Sequence, residues 1–67
     1  MRTLNEYEWD RLSRMHRRCW DRDGNFYMDR YREFRELVRS FELRGYDVNE
    51  FKKYVELYDM LAEDGIL

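Results

Sequence analysis

Apolar residues recur along the chain at helical spacing in three runs of similar length, and each run stops at a glycine: Gly24, Gly45 and Gly65. Neighbours on a helix differ by about 100°, so Trp9, Leu12, Met15, His16, Cys19 and Trp20 share one sector of the first run. In the second run Phe26, Tyr27, Tyr31, Phe34, Leu37, Val38 and Phe41 share a sector, with Arg30 intruding near its start. Phe51, Tyr54, Val55, Tyr58, Leu61 and Ala62 do so in the third. The spacing predicts helices over about residues 4–22, 26–44 and 48–64.

End signals agree with those limits. Thr3-Leu4-Asn5-Glu6 has the Thr-x-x-Glu form of a capping box, and Asn25 is a good N-cap for the second helix. Asp47 with Glu50 reads as a second box, with Tyr46 and Phe51 spaced as a hydrophobic staple. Gly24, Gly45 and Gly65 can close their helices in the left-handed conformation, and Ile66 is placed to fold back on Leu61 or Met60. Links this short make sequence neighbours antiparallel. The expected fold is therefore all-α: an up-down-up three-helix bundle forming a single domain over residues 1–67. Its competitor is an open arrangement completed by dimerisation.

Composition changes the picture of the core. A 67-residue domain leaves about 40% of its extended-chain surface exposed, so its core is small. Aromatics make up 18% of the chain and must do most of the filling, with hydroxyl and indole groups reaching water or a partner. Cys19 is the only cysteine, which rules out an internal disulfide and suggests a reducing, cytoplasmic setting. No apolar run approaches the ~20 residues that cross a bilayer, so no membrane association is expected.

Charge divides the chain unevenly. All eleven arginines precede residue 46, whereas residues 46–67 hold Lys52 and Lys53 against six carboxylates. Such asymmetry guides partners electrostatically.

Candidate chemistry is sparse. Asp21-Arg22-Asp23-Gly24-Asn25 suggests a calcium loop, but with Gly24 at the sixth position Cys19 and Arg30 occupy positions that need oxygen ligands. A polar turn accounts for it better. His16 and Cys19 could face one metal ion, yet the chain has no other histidine or cysteine to complete a zinc shell. A half-buried imidazole and a buried thiol are the simpler reading. Glu56, Asp59 and Glu63 lie on one side of the third helix, where they read as a solvated face. No cofactor, metal or enzymatic activity is expected.

Two arginine stripes remain. Arg11, Arg14 and Arg18 lie beside Tyr7, and Arg32, Arg35 and Arg39 lie on a flank with Met28. Tyr, Trp, Met and Arg are enriched in protein interfaces while Lys is depleted. Tyr7, Met28, Leu43, Leu57 and Met60 all lie off the three core sectors. The expected function is a small protein-binding module, an inhibitor or regulator that occludes its partner's surface. Its size is that of a phage or mobile-element accessory protein. A homodimer would relieve the small core. The alternative is a nucleic-acid-binding transcriptional regulator whose arginines contact phosphates, a reading opposed by the pI near 5.4.

Overall fold

In the computed structural model, which describes all residues 1–67, α1 spans Glu6–Arg17, α2 Met28–Leu43 and α3 Asn49–Glu63. The all-α three-helix architecture is present, with each helix shorter than periodicity alone predicts.

The reasons lie at the ends. The box that starts α1 uses Asn5 rather than Thr3: the Glu8 amide donates to the Asn5 side-chain oxygen at 2.8 Å, and the Asn5 amide donates to the Glu8 carboxylate at 3.0 Å. Thr3 is unavailable because the chain before it runs extended beside the α2–α3 link. There the Arg2 amide donates to the Gly45 carbonyl at 2.8 Å, and the Asp47 amide donates to the Arg2 carbonyl at 2.6 Å.

After Arg17 the helix gives way to a tight hairpin instead of continuing to residue 22. Trp20 pairs with Phe26 in an isolated antiparallel bridge, and the Tyr27 amide donates to the Cys19 carbonyl at 2.8 Å. The Asp21 carboxylate organises the enclosed turn. It accepts from the amides of Asp23 and Asn25 at 2.9 Å each, the Asn25 side chain at 3.1 Å and the Tyr27 hydroxyl at 2.8 Å. Asp and Asn favour such local bonds over helix. These donors, the Asn25 amide foremost, hold the Asp21 carboxyl down at about 2. Gly24 therefore sits inside a turn and does not end α1. Asn25 does not cap α2, because Phe26 and Tyr27 are held by the hairpin and Tyr27 takes the cap position without a side-chain cap bond.

The last turn of α2 follows the glycine pattern closely. Gly45, at φ 86°, donates to the Glu42 carbonyl and Tyr46 donates to the Phe41 carbonyl, both at 3.0 Å. Only a residue without Cβ enters this conformation freely. Tyr46 then packs edge-on against Phe41, with centroids 5.2 Å apart. At the end of α3 the same pair of bonds recurs, from Gly65 to Ala62 and from Ile66 to Leu61. Ile66 nevertheless stays exposed, and Leu67 packs on the core in its place. The Asp47–Glu50 box does not form: Val48 holds the cap position, buried, and Asp47 accepts only from the Asn49 amide at 3.2 Å.

Five of the nine core residues are aromatic: Tyr31, Phe34, Phe41, Phe51 and Tyr58, joined by Leu12, Cys19, Val38 and Val48. Rings also bridge α1 and α3, through Trp9 on Phe51 at 4.7 Å and His16 on Tyr54 at 4.3 Å, and Trp20 of the hairpin meets Tyr58 at 5.1 Å. Trp9 departs from its expected place in the core. It leans on Phe51 but remains 45% exposed, because it lies near the start of α1 with only α3 to cover it. Met28 departs in the other direction, being half-buried against the core. No helix is long and apolar enough to cross a membrane.

Candidate functional site

An arginine engaged within the fold is less free to bind elsewhere, so the engaged ones are separated first. Arg14 Nε lies 2.8 Å from Asp10, one helical turn away. Arg35 reaches across to Asp59 of α3 at 3.1 Å. Arg2 lies over Tyr46 and Arg44 over Phe41, each 4.5 Å from the ring centroid. Arg30 covers Tyr27 at the same distance and donates to the Arg18 carbonyl at 3.2 Å, closing the end of α1. Of the six arginines in the two stripes, Arg11, Arg18, Arg32 and Arg39 take part in no ion pair.

Three of those four meet along the α1–α2 seam. Arg11 of α1 and Arg32 of α2 line a shallow depression of about 490 Å³ together with Met15, Leu37, Glu33 and Glu36. The depression continues along α1 past Tyr7, Arg14 and Arg18, and near Arg18 it is joined by Arg30. Met15 lines every part of it. Five arginines thus surround a half-buried methionine, against the carboxylates of Asp10, Glu33 and Glu36.

Of the residues selected from sequence, the structure brings together Tyr7, Arg11, Arg14, Arg18 and Arg32. It separates the rest. Met28 packs on the core, Arg35 is turned toward α3, and Arg39 stands exposed two turns beyond Arg32 without lining the depression. Arg30 joins the face although its place in the apolar sector of α2 marked it only as an intruder. Its role depends on the hairpin that ends α1 early, for which the periodicity carries no signal.

Comparison with protein-family models found no match, and comparisons with curated proteins and with solved structures found none.

The remaining polar groups stabilise the interior. The Tyr31 hydroxyl donates its one proton to Asp59 at 2.6 Å with the Val55 carbonyl 3.0 Å away, and Arg35 meets the same Asp59 oxygen. Burial, with Asp59 adding to it, raises the Tyr31 pKa. His16 Nε2 and the Tyr58 hydroxyl share a 2.7 Å hydrogen bond among the rings of Trp20, Phe34 and Tyr54. Burial lowers the His16 pKa and pushes the Tyr58 hydroxyl up to about 12. The Cys19 thiol donates to the Met15 carbonyl at 3.5 Å, and burial pushes it up to about 11 against the pull of Arg30. A thiol so protonated and enclosed is a poor nucleophile. No three His, Cys, Asp or Glu side chains are grouped to hold a metal ion.

Proposed function

We propose that this protein is a small non-enzymatic docking module that binds another protein through the arginine face of α1 and α2 and acts by covering its partner's surface. The observation that carries this reading is the meeting of Arg11, Arg18 and Arg32, none held by a carboxylate of the fold, around Met15 and Leu37 with Tyr7 exposed alongside. Guanidinium groups beside an apolar floor suit carboxylates flanking an apolar side chain, and Arg and Tyr dominate binding energies in such contacts. Asp10, Glu33 and Glu36 among the arginines oppose a phosphate backbone, which favours protein over nucleic acid. A reducing compartment suits a chain whose only cysteine is a buried free thiol.

Arg11→Ala, Arg18→Ala and Arg32→Ala together should weaken capture of the native partner by roughly 100-fold while leaving the helical circular dichroism intact. Capture of the same protein at unchanged affinity by the triple variant refutes the face. A mobility shift on duplex or single-stranded nucleic acid that falls steeply with salt would replace the reading with its alternative.

A further inference from the structure

The chain presents two surfaces of opposite character. Besides the arginine groove, α3 has an outward side on which Leu57 and Met60 are 43% and 53% exposed. At about 100° per residue, Glu56 and Glu63 flank that apolar pair on one side, and Asp64 follows just past the end of the helix. Glu56, Glu63 and Asp64 are exposed and form no ion pair. Lys52, one helical turn before Glu56, bridges to Glu42 of α2 at 2.8 Å. Glu56 and Glu63 therefore have no ion-pair partner within the fold, and Lys52 acts on Glu56 only at longer range.

The spacing of the two surfaces corresponds. Glu56 and Glu63 are seven residues apart on α3, or about 10 Å along a helix, and Arg11 and Arg18 are seven residues apart on α1. Between each pair lies an apolar side chain: Leu57 and Met60 in one case, Met15 in the other. We propose that the α1–α2 groove receives α3 of a second copy of this chain, with Glu56 and Glu63 meeting Arg11 and Arg18 while Leu57 and Met60 cover Met15 and Leu37. The contact is head-to-tail, since the two surfaces differ, so an associated pair keeps one free groove and one free α3 between its two molecules and association continues into rings or open chains. Assembly occupies the groove used for a foreign partner, and the two events compete. The inference stands whether or not a foreign partner exists.

Sedimentation equilibrium tests it with two variants changed only at exposed positions. One carries Arg11→Glu and Arg18→Glu, the other Glu56→Gln and Glu63→Gln. The wild type should associate with rising concentration in about 20 mM salt and weaken roughly tenfold or more near 0.5 M, where the screening length is a few ångströms. Each variant alone should remain monomeric. Mixed in equal amounts they should form a dimer and nothing larger, because one supplies the only working groove and the other the only working α3. Wild type that is monomeric at about 0.5 mM in low salt, an affinity weaker than most specific contacts, overturns the proposal. So does association of either variant alone, or a mixture that stays monomeric while the wild type assembles. A monomeric wild type that still captures a foreign protein through the groove leaves the docking function standing and removes only this inference.

Discussion

At the scale of single residues, the informative groups are polar ones among rings. Burial disfavours the imidazolium form of His16, whose Nε2 shares a hydrogen bond with the Tyr58 hydroxyl. Its folded pKa is below the ordinary value of about 6.5, so below that pH the unfolded chain binds more protons and stability falls as acid is added. Thermal unfolding midpoints should drop between about pH 7 and pH 5.5, before most carboxylates titrate, and a His16→Gln variant should give a flatter profile. A second loss follows at lower pH. The Asp21 carboxyl, held at about 2 by the turn, contributes stability that is complete above its ordinary value of 3.8 and lost as the pH falls toward 2.

At the scale of elements, helix ends carry most of what distinguishes this fold from its pattern. Asn5→Ala should cost about 1 kcal/mol in urea unfolding, whereas Thr3→Ala should cost less than about 0.5 kcal/mol, reversing the order that the Thr-x-x-Glu motif suggests. The existence and number of the helices were legible because Leu12, Phe34, Val38, Phe51 and Tyr58 recur at a period that only helices bury together. Their limits were less so. Thr3 and Asn5 compete for one role, and the winner is decided by Arg2 pairing with residues 45 and 47, more than forty positions away in sequence. Asp21 bonds its turn together so fully that Cys19 and Trp20 keep their apolar contacts after leaving helical backbone. The arginine face was legible in part for a related reason. Spacing along one helix puts Arg11 and Arg18 on one side, where the structure also has them, but the reach of Asp59 from α3 to Arg35 is a contact between elements that no single-helix pattern contains.

At the scale of the whole molecule, rings tie α3 to α1 through Trp9 on Phe51 and to the hairpin after α1 through Trp20 on Tyr58. The Tyr31–Asp59–Arg35 group ties it to α2 next to the second of these contacts. A domain connected this way should unfold as one unit. Trp9→Phe and Trp20→Phe variants, each leaving one tryptophan as reporter, should therefore show fluorescence transitions that coincide with loss of helical circular dichroism in the same sample. Separate midpoints for fluorescence and helix loss would reveal an α3 that detaches first.

The position of Cys19 adds a consequence for handling. Its sulfur is sealed beneath the hairpin that follows α1 and has no solvent-facing surface. Covalent dimers joined through sulfur can form only from molecules that have first opened, so their appearance in an ageing sample records how often the fold breathes and says nothing about which surfaces it uses when intact.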